Sequence, residues 1–339
     1  MKNYKTLVVG GAGYVGTELV RKLNNTGAHV SVLDTFWYWK GTNEFVEDLS
    51  FKGEIFINDL RDIELHEEVF KDIDTVVYLA CVSNDPSFDL NPKLGYEINY
   101  LAFKNFCFLA DKHGITRLIF ASSSSVYGVK KEAQVTEKLD PEPLTDYSKY
   151  KLACEQFLES EKFRNLEWTI IRPATVCGWS ARMRFDLVVN ALTYSGIENK
   201  VINVHGGEQF RPNLHILDMV NLYFRLITEE NLFQNAKNKI FNFGADNYKL
   251  REIAMLVKNN LSSEVQLNFE KVIDERSYRV NSDFIKNELG IVPIYTIEDA
   301  IKSIKTAFED KKLRLKEDHI LYNNIKTMNS LINAGKISI

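Results

Sequence analysis

The sequence has few cross-linking or metal-ligating side chains, and this narrows the classes of protein to which it can belong. It contains four cysteines and six histidines in 339 residues. The cysteines lie far apart in apolar or helix-like segments, which is typical of reduced core thiols rather than of a disulfide framework or metal cluster. No H-x-x-x-H or C-x-x-C spacing occurs, so we expect no bound metal. The reduced thiols predict a cytoplasmic protein.

Long apolar runs and blocks of one charge are also missing. The chain starts directly with a strand-like run, and no stretch of about 20 apolar residues follows, so we expect neither export nor membrane anchoring. The 42 basic and 46 acidic side chains nearly balance, without a Lys/Arg block. Nucleic-acid and anionic-membrane partners are therefore not expected. A small molecule is the expected partner.

Apolar strand-like runs alternate with helix-like segments in the first half of the chain. The runs are "TLVVG" (6–10), "HVSVLD" (29–34), "GEIFIND" (53–59), "TVVYLA" (75–80), "RLIFAS" (117–122) and "WTIIRPA" (168–174). The helix-like segments include 16–27, 64–73 and 96–114. Continuously apolar strands separated by helices predict an α/β fold with a doubly wound parallel (Rossmann) sheet.

The pattern loosens after about residue 175, and no Pro/Gly linker separates the halves. We predict a dinucleotide-binding domain over 1–175, to which about 206–243 returns. A smaller, interleaved substrate lobe is predicted from about 176–205 and 244–300. The mixed charge of 301–339 predicts a solvated helical extension.

A glycine-rich turn links the first strand to the first helix. Gly10, Gly13 and Gly16 occupy it, where glycine permits a tight turn and close approach of a pyrophosphate to the helix N-terminus. Asp34 ends the second strand, where a carboxylate accepts from ribose hydroxyls and repels a 2′-phosphate, so NAD is favoured over NADP. The alternative is a simple glycine turn with Asp34 as a strand-end cap.

Asp59 ends the third strand-like run in "INDL". Its carboxylate suits the adenine amino group, and a helix cap ahead of "RDIEL" is an equally good interpretation.

Tyr147 and Lys151 stand four apart in "YSKYK" and share one face of a helix. A nearby ammonium favours the phenolate, which would bring the tyrosine pKa towards the range of a working base. The alternative is an ordinary amphipathic helix.

The order of these features resembles the extended short-chain dehydrogenase/reductase family, in its nucleotide-sugar epimerase and dehydratase branch. The resemblance covers nearly all of the first 295 residues. It is carried by "GGAGYVG", "VVYLA", "YEINYLAFKN", "FASSSSVYG", "YSKYKLACE", "IIRPATVCG", "RPNLHILD" and "RSYRV".

The resemblance assigns catalysis to Ser123, Tyr147 and Lys151, because the family's Ser/Thr lies four residues before the tyrosine of "VYG". For Ser122, Ser124 and Ser125 we expect local backbone hydrogen bonds. Family dehydratases carry an acidic pair where this chain has Ser124 and Ser125. The resemblance therefore argues against a sugar 4,6-dehydratase.

The family also implies which residues contact the cofactor and the substrate. Cofactor contacts are expected from Gly10, Gly13, Tyr14, Val15, Gly16, Asp34, Asp59, Leu60, Leu79, Ala80, Tyr147, Lys151, Pro173 and Val176. Substrate contacts are expected from Ser83, Asn84, Ser124, Thr175, Arg184, Arg211 and Arg276, with Tyr278 as a weaker candidate. Arg211 matches the family arginine that clasps a nucleotide diphosphate. Thr175 replaces an asparagine of many epimerases, which argues against ordinary UDP-galactose epimerisation.

Three further roles follow from the resemblance. His215 and Asp218 are expected to hold the loop that carries Arg211, and Asn99 to orient the active-site helix. Helix 94–113 is apolar nearly all round, so we expect a homodimer through a four-helix interface with the Tyr147 helix.

Together these features predict NAD-dependent oxidation and reduction at a ring hydroxyl, at C4, of a nucleotide-activated sugar. An epimerase is the leading hypothesis. A 4-dehydrogenase or 4-keto-sugar reductase needs the same side chains and remains open, and a catalytically silent NAD-binding regulator is a remote alternative.

Overall fold

A parallel sheet of seven strands organises the protein. The computed structural model describes residues 4–271, 277–313 and 320–337. The strands are β1 (Thr6–Val9), β2 (Val30–Asp34), β3 (Ile55–Ile57), β4 (Thr75–Tyr78), β5 (Arg117–Ala121), β6 (Glu167–Pro173) and β10 (Lys239–Phe243), in the order β10-β6-β5-β4-β1-β2-β3. All neighbouring strands run parallel. The predicted doubly wound sheet is confirmed.

Helices cover both faces of this sheet. In the first half they are α1 (Tyr14–Asn25), α2 (Thr42–Leu49), α3 (Asp85–Phe88), α4 (Pro92–Tyr96), α5 (Ala102–Lys112) and α6 (Asp146–Ser160). A π-helical turn at Glu97–Leu101 joins α4 to α5. Val8 of β1 packs with the cluster that contains α1 and Tyr223, whereas Leu7 and Val9 pack with the cluster that contains α5. This alternation explains why the strands read as continuously apolar.

The predicted helix at 64–73 is wrong. Two 3₁₀ turns, Leu60–Leu65 and Glu67–Phe70, replace it. Asp59 accepts from the N–H of Arg61 and starts the first turn, and His66 has a non-helical φ of -131° that separates the two. A turn-forming carboxylate thus prevails over the helical pattern of the following residues.

The second half of the chain builds smaller layers beside the main sheet. Its elements are β7 (Thr175–Cys177), α7 (Val188–Glu198), β8 (Val201–His205), β9 (Phe210–His215), α8 (Ile216–Thr228), α9 (Glu230–Ala236), β11 (Asn247–Lys249), α10 (Leu250–Leu261), β12 (Gln266–Glu270), α11 (Asp283–Leu289), α12 (Ile297–Glu309) and α13 (Asn324–Asn333). Strands β11, β9 and β7 form one sheet, and β12 pairs with β8. The chain returns to the main sheet at β10, as an interleaved arrangement requires. The domain boundaries themselves stay predictions.

A buried polar network joins α6 to the main sheet. Arg172 of β6 donates two bonds from Nε to the Glu155 carboxylate of α6, each 3.1 Å long, and a third of 2.6 Å from Nη2. Ser122, directly after β5, donates to the same carboxylate. Arg172 also donates to the Tyr127 hydroxyl at 2.7 Å, and Tyr127 donates to Asn242 of β10 at 2.8 Å. The network fixes α6 against the ends of three strands.

In the described residues of the C-terminal segment, α12 and α13 are helical, and α13 has a buried face although we expect a solvated extension. Met328 and Ile337 form a buried cluster with Val82, Leu94 and Ile98. Asn324 and Thr327 are also buried. The segment docks because α13 places these side chains on one face, a pattern that the mixed charge of 301–339 conceals. In the part of the chain that the structure describes, no helix is long and apolar enough to cross a membrane.

The junction between β9 and α8 depends on a neutral histidine. The buried His215 ring stacks on Tyr295 at 4.8 Å and accepts from the N–H of Leu217 at 3.1 Å. Asp218 accepts from the N–H groups of Ile294 and Tyr295 at 3.0 Å each. These bonds hold the start of α8 and residues 294–295, whereas Arg211 lies on β9, so the role predicted for His215 and Asp218 in holding the Arg211 loop stays a prediction. Burial lowers the pKa of His215 from 6.5 to about 4.

Glu155→Gln should destabilise the protein by about 3–5 kcal/mol, because it leaves the Arg172 guanidinium buried without its counter-charge. Urea unfolding of the purified variant measures the loss. Glu161→Gln, at the exposed end of the same helix, is the control and should change the unfolding free energy by less than about 0.5 kcal/mol. Equal unfolding free energies for wild type and Glu155→Gln would contradict the role assigned to the ion pair.

His215 should make stability depend on pH between about 6.5 and 4. In this window the unfolded chain binds a proton that the folded chain excludes, so stability falls as pH decreases, by up to about 3 kcal/mol in total. His215→Asn keeps a capping acceptor and should remove this part of the decrease in urea unfolding at pH 7 and 4.5. His29→Asn, at an exposed histidine, should retain it. A wild-type pH dependence in His215→Asn would refute the prediction.

Candidate active site

A cleft of about 900 Å³ opens at the carboxyl ends of the main-sheet strands, where ligands bind in open α/β sheets. It brings together every predicted site residue that the structure describes. They are Gly10, Gly13, Tyr14, Val15, Gly16, Asp34, Asp59, Leu60, Leu79, Ala80, Ser83, Asn84, Ser123, Ser124, Tyr147, Lys151, Pro173, Thr175, Val176, Arg184, Arg211 and Tyr278. Arg276 lies outside the described residues. The roles given to these residues in binding and catalysis stay predictions.

The close backbone packing of the glycine turn requires glycine at two of its positions. Gly10 has a φ of +81°, and a Cβ there would lie 2.6 Å from the Ala80 nitrogen. A Cβ on Gly16 would lie 2.2 Å from the Gly10 carbonyl oxygen. The turn therefore brings α1 directly against β1 and exposes backbone at its N-terminus. This cradle fits the pyrophosphate of a dinucleotide.

Asp34 is half-buried beside this turn and accepts hydrogen bonds from the backbone. Its carboxylate accepts from the N–H of Ala12 at 3.0 Å and from that of Phe36 at 2.9 Å. Burial raises the pKa of Asp34, and the two N–H groups act against this increase. The strand-end cap is thus observed, and each carboxylate oxygen keeps a lone pair for a ribose hydroxyl.

Asp59 lines the cleft with most of its acceptors engaged. It accepts from the N–H of Arg61 at 2.9 Å and forms an ion pair of 2.8 Å with the same residue. The helix-cap interpretation is therefore the one observed, on a 3₁₀ turn.

The four serines after β5 have four different environments. Ser123 accepts from the N–H of Ser125 at 3.1 Å and its hydroxyl lies 2.8 Å from that of Ser125. The Ser124 hydroxyl lies 3.2 Å from that of Tyr278. The expectation of local backbone bonds for Ser122, Ser124 and Ser125 is wrong, because Glu155, Tyr278 and Ser123 supply side-chain partners.

Tyr147 and Ser123 lie together, but the expected pKa decrease of the tyrosine is absent. Desolvation in the cleft raises the pKa of Tyr147, while a hydrogen bond with Ser123 and the charge of Arg184 lower it. The Lys151 ammonium donates instead to the Ala121 carbonyl at 2.6 Å and lies over the Phe120 ring. The effect of Lys151 on this pKa therefore stays a prediction.

Ser83, Asn84 and Arg184 form one hydrogen-bonded group. Arg184 donates to the Asp186 carboxylate at 2.7 and 3.1 Å and to the Ser83 hydroxyl at 3.0 Å. Asn84 donates to Asp186 at 2.6 Å and accepts from the N–H of Ser87. These side chains hold each other in place, and their edges face the cleft.

Asn99 does not orient the active-site helix through its side chain. Its amide accepts from the N–H of Val82 at 2.7 Å and donates to the carbonyl of the same residue at 3.0 Å. Only its main-chain carbonyl reaches α6, where it accepts from Cys154. Asn99 lies within the π-helical turn Glu97–Leu101.

Four residues that line the cleft were not predicted from the sequence. They are Tyr38, Arg182, Asp186 and Asn324. Arg182 and Asp186 stand within "WSARMRFD", where only Arg184 is predicted. Tyr38 follows the predicted Asp34 closely, a position that could have suggested it. Asn324 comes from a segment with no recognisable motif.

Comparisons with known proteins agree with this geometry. The model of the NAD dependent epimerase/dehydratase family matches residues 6–244. UDP-glucose 4-epimerase of Lactobacillus helveticus is 24% identical over 336 residues, which cover 91% of this chain and 100% of the relative. UDP-glucuronic acid decarboxylase 1 of Danio rerio is 23% identical over 317 residues, covering 88% and 71%.

The solved structures support the fold. UDP-glucose 4-epimerase of Thermotoga maritima, solved with UDP-glucose, superposes with a TM-score of 0.79 at 22% identity, covering 90% of this chain and 99% of that chain. Because the family model extends from β1 through β10, the chain belongs to the NAD dependent epimerase/dehydratase family, as an NAD-dependent enzyme of the extended short-chain dehydrogenase/reductase type.

Proposed function

We propose that the protein is a nucleotide-sugar epimerase that works at a ring hydroxyl, at C4 of the sugar. The observation that carries this proposal is the meeting of Ser123 and Tyr147 in the same cleft as the glycine turn and Asp34. A phenol next to a dinucleotide cradle suits removal of a proton from an alcohol. NAD, when bound, supplies the acceptor and donor of hydride for the carbon that carries this alcohol.

Tyr147 moves the proton in this proposal. Its phenolate takes the proton of the sugar hydroxyl as the carbon becomes a ketone, and returns it when the alcohol forms again. The Ser123 hydroxyl donates to the same sugar oxygen. Desolvation raises the pKa of Tyr147, and the charge of Arg184 and the bond with Ser123 act against this increase. Lys151, one helical turn further on, is proposed to favour the phenolate and to hold the cofactor ribose. Before the second half-reaction the keto sugar turns over within the cleft, so that hydride returns to its other face. The configuration at the carbon is then inverted.

Arg211 is proposed to bind the substrate diphosphate. It lines the cleft on β9 and donates to the Phe210 carbonyl at 3.1 Å. Its planar group suits paired phosphate oxygens. Thr175 and Pro173 line the floor of the cleft between the two ligand sites. The UDP-sugar enzymes among the relatives support a nucleotide-sugar substrate.

The assembly and its location are proposals as well. We propose a homodimer through α5 and α6, supported by the exposure of Leu101 (40%) and Phe108 (46%) on this side. We propose the cytoplasm as the place of action, because Cys107, Cys154 and Cys177 are free buried thiols.

Tyr147→Phe should reduce kcat by about 10²- to 10⁴-fold, the typical contribution of a general base. NAD content after purification should not change, because the substitution removes one hydroxyl. Tyr150→Phe, on the same helix as Tyr147, is the matched control. The Tyr150 ring packs among Phe88, Tyr96 and Tyr100, and its substitution should leave kcat unchanged. Unchanged turnover in Tyr147→Phe would remove this tyrosine from the mechanism.

Incubation with UDP-, GDP-, CDP- and dTDP-sugars should convert one of them to its C4 epimer without net formation of reduced cofactor. Chromatography of the sugar nucleotides and absorbance of the reduced nicotinamide measure the two quantities together. Reduced cofactor in stoichiometric amount would instead identify a 4-dehydrogenase, and consumption of reduced cofactor with a 4-keto sugar would identify a reductase. Either result would reject the epimerase.

A further inference from the structure

Arg182 is a buried cation without a counter-ion in the described part of the chain. It is 3% exposed and lines the cleft. Its Nη2 donates to Asn324, its Nη1 lies 3.4 Å from the Met183 carbonyl, and its guanidinium lies 3.9 Å from the centre of the Tyr38 ring. Its Nε has no hydrogen-bond partner. Buried charges are normally paired, so this guanidinium requires an explanation.

The carboxylates near Arg182 are engaged elsewhere. Asp186 forms its ion pair with Arg184 at 2.7 Å, and Asp34 accepts from two backbone N–H groups. Both act on Arg182 only at longer range, and burial lowers its pKa to about 10. Among the described residues, no carboxylate therefore forms an ion pair with Arg182. An anionic ligand would balance its charge.

The position of Arg182 indicates which anion this is. Ser180 donates to the Tyr14 carbonyl at 2.8 Å and the Ala181 N–H donates to Glu18 at 3.1 Å. These bonds attach the segment before Arg182 to α1, directly after the glycine turn. The charge of Arg182 also acts on Asp34, the predicted ribose carboxylate. The attachment of its segment to α1 and its proximity to Asp34 place Arg182 at the dinucleotide end of the cleft.

The C-terminal segment holds Arg182 in this position. Asn324, 2% exposed, accepts from Arg182 and donates to the Ser83 hydroxyl at 2.9 Å. Asn323 starts α13 by accepting from the N–H of Lys326 at 3.1 Å. The apolar cluster of Met328 and Ile337 with Val82 anchors the helix. This segment lies beyond residues 6–244, which match the family.

We propose that Arg182 binds a phosphate oxygen of the dinucleotide, opposite the glycine turn, and that Asn324 is the positioning residue that aims it. The proposal depends on the NAD dependence of the family and not on the sugar chemistry proposed above. It implies that docking of α13 and binding of the cofactor stabilise each other.

Arg182→Met tests the contact with ligands that differ in their phosphates. ADP-ribose contains the pyrophosphate and adenosine lacks it, so the ratio of their affinities isolates the phosphate contact. By calorimetry this ratio should fall by about 10- to 100-fold, as expected for a lost charge-assisted hydrogen bond. Arg225→Met, which breaks a surface pair with Glu229, should leave the ratio unchanged. An unchanged ratio in Arg182→Met overturns the proposal, and so does a loss confined to UDP, which would assign the phosphate to the sugar nucleotide.

Asn324→Asp tests the same contact without removing the arginine. The new carboxylate would neutralise Arg182, so the melting temperature of the ligand-free protein should rise while the affinity for ADP-ribose falls at least 10-fold. A purely structural asparagine would give a lower melting temperature with unchanged affinity, and that result overturns the proposal. Asn323→Asp adds the same charge one residue earlier and keeps a helix cap, so it should leave both measurements unchanged.

Discussion

The buried ion pair between Glu155 and Arg172 determines where the reactive side chains of this protein lie. Glu155 stands on the helix that carries Tyr147 and Lys151, and Arg172 stands on the neighbouring strand β6. Ser122 donates to the same carboxylate and directly precedes Ser123. A buried pair is favourable only when all its polar atoms are bonded, and here Tyr127 and Asn242 complete the set. The helix can therefore dock in one register, which brings Tyr147 to Ser123.

The parallel sheet converts this local constraint into a site for two ligands. Its strands end at one edge, so Asp34, Ser123 and Pro173 come together although they are far apart in the chain. Residues that follow β6 then cross over to α1, where Ser180 and Ala181 bind the turn after the glycines. The dinucleotide cradle and the tyrosine thus share supports, and the same loop carries Arg182 to one and Arg184 to the other.

Local sequence patterns were sufficient for the sheet, the glycine turn and the Tyr147–Lys151 pair, whereas the resemblance to the family supplied most other cleft residues. Three patterns can be recognised without knowing which residues they contact in the fold. They are apolar runs of strand length, the glycine turn, and the spacing of Tyr147 and Lys151. Partners themselves are a tertiary property. The bond from Lys151 to Ala121, the separate bonds of Ser122 and Ser124, and the docking of α13 on Val82 depend on side chains that are distant in sequence. The helix predicted at 64–73 failed for a different reason, since Asp59 starts a 3₁₀ turn through a local bond.

The buried arginines in and near the cleft are of two kinds: those that hold the structure together and one that faces a ligand. Arg172 and Arg184 each have a carboxylate within 2.7 Å, and their bonds fix strands and loops. Arg182 is equally buried but its charge is not neutralised by an ion pair in the described residues, which costs stability in the absence of ligand. A ligand that pairs with this charge stabilises the folded state, so ligand binding offsets the stability that the unpaired charge costs. The lack of an ion-pair partner for Arg182 is therefore evidence about the ligand, obtained from the protein alone.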